Sequence, residues 1–195
     1  MLSDGYTLAE YIADLRTVTS EHRDDNSIIS AVRPLAKRLA LSRTWIRPQH
    51  YECDEEQGFG IYLLHEEADH TLAVLAVNWL PGRGTLPHDH GTWAVVAGVE
   101  GPERNVFWER IDDRSREGYA ELKQIGDKVF KAGDVVAMPP GTIHSMVNES
   151  DAVTLSLHTY GMHVNYTGRS KFDPDAKLEM PYIVDQKESA GASVG

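Results

Sequence analysis

The first 45 residues show apolar positions spaced three and four apart, as on one face of an amphipathic helix. The first set follows Thr7-Leu8-Ala9-Glu10, a capping box in which threonine and glutamate satisfy free backbone N–H groups. A second helix is predicted to begin near Asp25-Asn26-Ser27 and to continue in spite of Pro34. The two apolar faces, which we expect to cover a core, are Leu8, Tyr11, Ile12 and Leu15, then Ile28, Ile29, Val32, Leu35 and Leu39.

From about residue 45 onward, short runs rich in β-branched and aromatic residues alternate with Gly, Pro and Asp turns. This pattern is typical of a β-sandwich or barrel and not of a parallel α/β sheet, since no regular helix-length segments separate the runs. The prediction is one mainly β domain over 1–188, with a helical part (1–45), a small antiparallel barrel (46–188) and a flexible tail (189–195). The candidate strands are 59–64, 71–79, 92–98, 104–109, 128–130, 134–138, 143–147 and 152–160, with a strand or coil in 171–186.

Composition and charge argue against some classes of binding partner. Of 195 residues, 41% are hydrophobic and 25% are charged, which suits one folded domain with a core. The net charge of −11 argues against nucleic acid or an anionic membrane as partner, since both would repel the protein. The single cysteine, Cys53, excludes an internal disulfide and a thiolate-rich zinc site. Without a membrane-length apolar run or a leader-like pattern in residues 1–5, we expect a soluble cytoplasmic monomer or homodimer.

Three histidines are candidate metal ligands. His88 and His90 stand two positions apart, so on a strand both imidazoles would point to the same side. His144 follows Pro139-Pro140-Gly141, a turn sequence that leads into another predicted strand. Imidazole suits Fe, Zn, Cu and Ni, so the type of ligand alone leaves the metal open.

These segments resemble the two motifs of the cupin superfamily. The matching residues are Gly82, His88 and His90 in the first motif, and Gly133, Pro139, Gly141, His144 and Asn148 in the second. The resemblance implies a double-stranded β-helix in which the three histidines bind a metal. The glutamate ligand of the family has no counterpart, because residues 91–95 contain no carboxylate. Three neutral ligands would leave the full charge of a divalent ion, with open positions for an anionic substrate and O2.

A third segment places Ser156, His158 and Tyr160 on one face of a predicted strand. A hydrogen-bonded row of these side chains would hold the tyrosine hydroxyl at the metal and control its proton. With the two histidine segments, it resembles the thiol dioxygenases, namely cysteine dioxygenase and 3-mercaptopropionate dioxygenase, over roughly residues 45–175. The resemblance implies Fe(II) as cofactor, Tyr160, His158 and Ser156 as catalytic residues, and oxidation of a small thiol by O2 to its sulfinate.

The position that would bind the substrate carboxylate is less well defined. In the resemblance, the usual anchor position falls near Ile61, which is apolar. The mercaptopropionate enzymes carry an arginine nine residues after the tyrosine, where this chain has Arg169, so Arg169 is predicted to bind a carboxylate. Arg83, between two glycines, is a second candidate. The other histidines, expected to be structural or at the surface, are His22, His50, His65, His70 and His163.

Two other functions stay open. A three-histidine cupin with Zn, Mn or Ni could be an isomerase or lyase that uses the metal as a Lewis acid, and such chemistry does not require the Ser–His–Tyr row. A non-catalytic cupin could instead sense a small ligand, although residues 1–45 contain no basic recognition helix for DNA. The sequence decides neither the thiol nor the metal.

Overall fold

The computed structural model describes residues 5–194, with the backbone alone for residues 190–194. Two helices come first, α1 (Leu8–Glu21) and α2 (Asp25–Ser42), and the predicted capping box of α1 is confirmed. Thr7 Oγ1 accepts from Glu10 N at 3.2 Å, and the Glu10 carboxylate accepts from Thr7 N at 2.8 Å. Neither helix is both long and apolar enough to span a bilayer. Residues 1–4 of the predicted helical part lie outside the described residues.

Strands make up most of the chain after α2. They alternate with turns, and single 3₁₀ turns occur at Pro48–Tyr51 and Val164–Tyr166. The strands within the described residues are β1 (Phe59–Glu66), β2 (Thr71–Trp79), β3 (Ala94–Glu100), β4 (Glu103–Arg110), β5 (Leu122–Phe130), β6 (Val135–Met138), β7 (Ile143–Val147), β8 (Thr154–Met162), β9 (Ser170–Asp173), β10 (Leu178–Pro181) and β11 (Lys187–Val194).

Two sheets form the body of the barrel. The larger has the order β11-β1-β2-β8-β3-β6 and the smaller the order β5-β4-β7, while β9 and β10 pair separately. The pairings are antiparallel except for that of β1 with β11. This is a mainly β cupin fold with two N-terminal helices packed outside, and the predicted fold class is confirmed.

The larger sheet is buried on both faces. On β1, Ile61 and Leu63 belong to the apolar cluster between the two sheets, whereas Tyr62 and Leu64 pack with the helices. This division follows from the alternation of side chains along a strand. The helices therefore cover the outer face of the sheet, and the inner face is free to shape a cavity.

The structure differs from the predicted strands most at β5, and β3 and β8 are each displaced by two residues from the predicted 92–98 and 152–160. The prediction recognised only 128–130 of β5, because the residues before 128 are mostly polar and exposed. Backbone pairing with β4, from Leu122 opposite Arg110 onward, holds this edge strand without an apolar face. β3 begins at Ala94 and not at residue 92, because Gly91 has a positive φ of 64° that interrupts extended backbone.

The predicted flexible tail also differs from the structure. Residues 187–194 form β11, which pairs in parallel with β1, so the small residues after 189 continue a strand up to residue 194. Strand pairing uses backbone N–H and C=O groups, which small residues retain. The last residue of the predicted tail, Gly195, lies outside the described residues.

A buried hydroxyl pair joins α1 to the larger sheet. Tyr11 Oη and Thr159 Oγ1 lie 2.6 Å apart, and both residues are fully buried. We expect Tyr11→Phe to lower the free energy of unfolding by about 1–3 kcal/mol, because the Thr159 hydroxyl loses its partner in an apolar layer. Urea unfolding measures this change. As a control, Tyr166→Phe at an exposed position should change it by less than about 0.5 kcal/mol, and an equal effect of both variants would contradict the prediction.

Candidate metal centre

Backbone pairing brings the first and third histidines together. His88 N donates to the carbonyl oxygen of His144 at 2.8 Å, and His144 N donates to that of His88 at 3.0 Å. His88 and His90 do not lie on a regular strand, which corrects the prediction. The alternation nevertheless holds, because the intervening Asp89 turns to Ser170, whose N donates to Asp89 Oδ1 at 3.1 Å.

The segment before His88 lies close against β7. A Cβ on Gly84 would lie 2.0 Å from the carbonyl oxygen of Met146, so only glycine permits this approach. Gly84 thereby allows the bridge to Val147 that precedes the pairing of His88 with His144. Gly84 therefore helps to position the candidate ligand His88.

The three histidines form a compact, buried cluster. Their candidate ligand atoms lie within 4.8 Å of one another. Ring centroids are 4.7 Å apart for His88 and His144, 5.0 Å for His90 and His144, and 5.2 Å for His88 and His90. Because three buried imidazoles have ring nitrogens close to one another, the cluster has the donor set and the spacing to hold a metal ion.

Hydrogen bonds at Nδ1 prepare Nε2 of two histidines for a metal. His88 Nδ1 lies 3.0 Å from the Leu86 carbonyl oxygen, and His144 Nδ1 lies 2.9 Å from Asn105 Oδ1. Both oxygens can only accept, so each Nδ1 carries the proton and each Nε2 keeps its lone pair. His144 Nε2 is buried without a hydrogen-bond partner among the described residues. A buried nitrogen of this kind fits a metal ligand.

Burial keeps these imidazoles neutral at physiological pH. It holds the pKa of His88 and of His90 well below the usual range, and it lowers the pKa of His144 to about 4. Positive charge on the neighbouring Arg169 acts in the same direction. The ligands therefore need not lose a proton before they bind a metal.

Asn105 fixes the orientation and tautomer of His144. We expect Asn105→Leu to weaken metal binding about 10- to 100-fold, because the Nδ1 proton loses its acceptor. Titration of the metal-free protein with Fe(II) or Zn²⁺ under anaerobic conditions measures the change. Asn105→Asp keeps an acceptor at this position and should bind the metal nearly as tightly as the wild type. Equal weakening by both substitutions would show that Asn105 acts only through packing.

The third predicted segment forms a hydrogen-bonded row on β8. Ser156 Oγ lies 3.0 Å from His158 Nε2, and His158 Nδ1 lies 2.8 Å from the Tyr160 hydroxyl. The tyrosine ring centroid is 5.1 Å from that of His90, so the row ends beside the metal site. Burial lowers the pKa of His158 to about 3 and raises that of Tyr160, so both are uncharged at neutral pH.

Arg169 lines the same cavity as the histidines and is 6% exposed. Its Nε donates to the carbonyl oxygen of Tyr182 at 3.2 Å, and its guanidinium carbon lies 4.1 Å from the Tyr182 ring centroid. Among the described residues no carboxylate forms a direct ion pair with it, and Asp89 attracts its charge from a greater distance. Ile61 also lines the cavity, whereas Arg83 is exposed and its Nη2 donates to the Glu55 carbonyl oxygen at 3.4 Å, away from the site.

The sequence reasoning missed three residues of the cavity wall: Glu103, Asn105 and Tyr182. Glu103 and Asn105 stand two apart on β4, and this alternation was the only signal in the sequence. Tyr182 lies between β10 and β11, and its ring centroid is 5.3 Å from that of His88. Their roles depend on strand neighbours distant in sequence, which no local pattern identifies.

The remaining histidines lie outside the three-histidine cluster. His50 is buried, and its ring nitrogens contact Ser189 Oγ and Arg47 N. His70 stacks on Tyr166, with ring centroids 3.5 Å apart. His22 ends α1, and the other two contact side chains in place of a shared centre: His65 with Glu67, and His163 with Gln186.

Residues 92–166 match the sequence model of the JmjC domain. The matched range includes His144 and the whole Ser–His–Tyr row, and it begins just after His90. The match covers less than half of the chain, so only this segment is similar to the JmjC domain.

Solved structures similar to this chain include an oxalate oxidase in complex with the substrate analogue glycolate, at 14% identity and a TM-score of 0.44. The match covers 60% of this chain and 59% of the oxalate oxidase chain, so this chain spans about three fifths of that protein. A cupin superfamily protein from Desulfitobacterium hafniense DCB-2 is 14% identical (TM-score 0.41), with 57% of this chain and 83% of that one covered. A protein of unknown function with a cupin-like fold from Ralstonia eutropha JMP134 is 17% identical (TM-score 0.42), with 64% of each chain covered.

Proposed function

We propose that this protein is a non-haem Fe(II) thiol dioxygenase that converts a small thiol and O2 to a sulfinate and one proton. The observation that carries the proposal is the row from Ser156 through His158 to Tyr160, which ends beside three neutral histidines. A Lewis-acid isomerase or lyase has no evident use for this row. The JmjC-type segment supports an oxygenase among metal-dependent enzymes.

The donor set fits Fe(II), and His88, His90 and His144 would hold it. When bound, iron supplies the redox chemistry that lets O2 react with a thiolate. Three uncharged ligands leave the charge of the ion undiminished, which favours an anionic thiolate in the cavity. The cavity has a volume of about 50 Å³, which suits a small substrate.

Arg169 is suited to orient the substrate by its carboxylate. A buried guanidinium without an ion-pair partner is costly, and an anionic ligand in the same cavity would offset that cost. Its planar face against Tyr182 leaves the fork of N–H groups able to bind a carboxylate through two bonds. 3-Mercaptopropionate carries a thiol for the metal and a carboxylate for Arg169, and cysteine is the nearest alternative.

The test joins metal analysis to oxygen uptake. We expect the purified protein to contain iron and, after iron loading, to consume one O2 for each sulfinate formed from 3-mercaptopropionate, cysteine, mercaptosuccinate or cysteamine. No O2 uptake with any of the four thiols would refute the proposal. Zinc or manganese in the purified protein, together with no uptake after iron loading, would favour the Lewis-acid or ligand-sensing cupin.

A further inference from the structure

A buried carboxyl group extends the Ser–His–Tyr row. Glu103, the first residue of β4, is 6% exposed, and its Oε1 accepts from Ser156 Oγ at 3.1 Å and from Thr154 Oγ1 at 3.0 Å. The row therefore has four members, from Glu103 to Tyr160. Burial raises the pKa of Glu103 to about 7, although both hydroxyl donors favour the ionised form.

The ionised carboxylate sets the direction of every hydrogen bond in the row. A carboxylate only accepts, so Ser156 gives its single hydrogen to Glu103 and accepts from His158 Nε2. The neutral imidazole then has a lone pair on Nδ1, which accepts from the Tyr160 hydroxyl. In this state the tyrosine oxygen offers lone pairs, and no proton, to the cavity.

Protonation of Glu103 reverses the row. The carboxyl group then donates to Ser156, which donates to His158 Nε2, and His158 Nδ1–H donates to the tyrosine oxygen. Tyr160 consequently turns its own proton toward the cavity. The same side chains thus present either an acceptor or a donor at the metal site, according to the charge of a residue at the far end.

We propose that Glu103 receives the proton of the substrate thiol through Tyr160, His158 and Ser156, an inference that rests on the proposed function. The S–H bond breaks, and its electron pair stays on sulfur as the thiolate forms. The proton passes to the Tyr160 oxygen, the tyrosine proton to His158 Nδ1, the Nε2 proton to Ser156, and the serine proton to Glu103. One proton moves, no electron is transferred, and the negative charge on Glu103 is neutralised.

No ion pair with a cation among the described residues fixes Glu103 in its ionised form. Within the described residues no cation forms an ion pair with it, and its partner across β5 is Phe130, with Lys128 over the Phe130 ring. The adjacent Arg104 turns to the exposed face, where it pairs with Asp127 and Glu149. The other titratable or charged groups of the cavity are the ligand histidines, His158, Tyr160, Tyr182 and Arg169.

Anaerobic proton release tests the transfer. Iron-loaded protein is mixed with 3-mercaptopropionate at pH 8 in weak buffer that contains an indicator dye, without O2. In the rapid phase that accompanies thiol binding, followed by stopped flow, the wild type should release less than about half a proton per thiol, because ionised Glu103 takes it up first. With a pKa of about 7, Glu103 then returns this proton to the solvent in a slower phase. Glu103→Gln should release about one proton in the rapid phase. Glutamine preserves the size of the side chain and can still accept from Ser156 and Thr154.

Two further variants distinguish transfer along the row from general changes at the site. Ser156→Ala separates Glu103 from His158, so about one proton per thiol should be released although the carboxyl group remains. Thr154→Val removes the other hydroxyl donor to Glu103 but leaves the row intact, so its release should stay as low as in the wild type. Equal release by wild type and Glu103→Gln in the rapid phase at pH 8 would overturn the inference.

The dependence of proton release on pH provides a further check on the role of Glu103. Below about pH 6, Glu103 is already protonated in the free protein and cannot accept, so the wild type should release about one proton, as Glu103→Gln does. The difference between the two should therefore appear as pH rises through about 7. A difference that persists at pH 5 would contradict the role of Glu103.

A readout on metal-free protein separates this inference from the proposed function. In infrared spectra edited with ¹³C-glutamate, the carbonyl stretch of a protonated, buried carboxyl group should appear near pH 7 and be absent in Glu103→Gln. Absence of this band between pH 5 and 7 would refute the inference even where thiols are oxidised. A wild type that shows the band but consumes no O2 with any thiol would refute the proposed function alone.

Discussion

Replacement of His144 by alanine is expected to leave the protein folded but without its metal, and to lower thiol-dependent O2 uptake by more than about 100-fold, at least 2.7 kcal/mol in the activation barrier. The large effect follows from the loss of one of only three protein ligands, whose buried Nε2 has no other partner among the described residues. The backbone bonds of residue 144 to His88 do not depend on the side chain, so the fold should survive.

Metal content after anaerobic loading and initial rates of O2 uptake measure these effects. His22→Ala provides the matched control, because His22 ends α1 and takes no part in the cluster. It should bind the metal and oxidise thiols as the wild type does. A His144→Ala protein that retained stoichiometric, tightly bound iron would show that the metal site lies elsewhere.

The second large effect concerns Arg169 and depends on the substrate. Arg169→Met should lower kcat/KM for 3-mercaptopropionate roughly 30- to 5,000-fold, a loss of about 2–5 kcal/mol in transition-state stabilisation. The reason is that Arg169 is the cationic side chain that lines the cavity in the described part of the chain. Cysteamine has no carboxylate, so its kcat/KM should change less than about threefold. Arg169→Lys retains the charge but not the two-bond geometry and should fall between the wild type and the methionine variant.

Thermal unfolding of Arg169→Met shows whether a loss of activity comes from weaker substrate binding or from a less stable fold. Methionine removes a buried charge that lacks an ion pair in the described residues, so the midpoint of unfolding should stay equal or rise. A parallel loss of activity toward both thiols would show that Arg169 supports the shape of the cavity and does not recognise a carboxylate.

Local sequence patterns predicted the strands best where a strand is buried on both faces. β2 was predicted with its observed bounds, because its nine residues form a nearly continuous apolar run between turn residues. β5 was mostly missed, because an edge strand with exposed polar residues shows no apolar alternation. The capping box of α1 was predicted correctly because that motif is complete within four residues and needs no partner distant in sequence.

The candidate site was predictable to the extent that its residues lie in short motifs. The histidines and the Ser156–His158–Tyr160 row were found from spacing and resemblance. The structure brings the three histidines, His158 and Tyr160 to one cavity, and Ser156 contacts His158 behind its wall. Asn105 and Glu103 were not found, because their partners come from β7 and β8, about 40 to 50 residues away.

The position of β8 between β2 and β3 has a consequence for the order in which parts of the site open to solvent. Amide protons on both sides of β8 lie inside a continuous sheet, so they should exchange with deuterium only by global unfolding. The segment that carries His88 and His90 is tied to β7 and β9 by isolated bridges and should exchange faster. The part of the site on β8 therefore belongs to the slowest-exchanging core. The segment that carries His88 and His90 can open locally, which would let a metal ion enter.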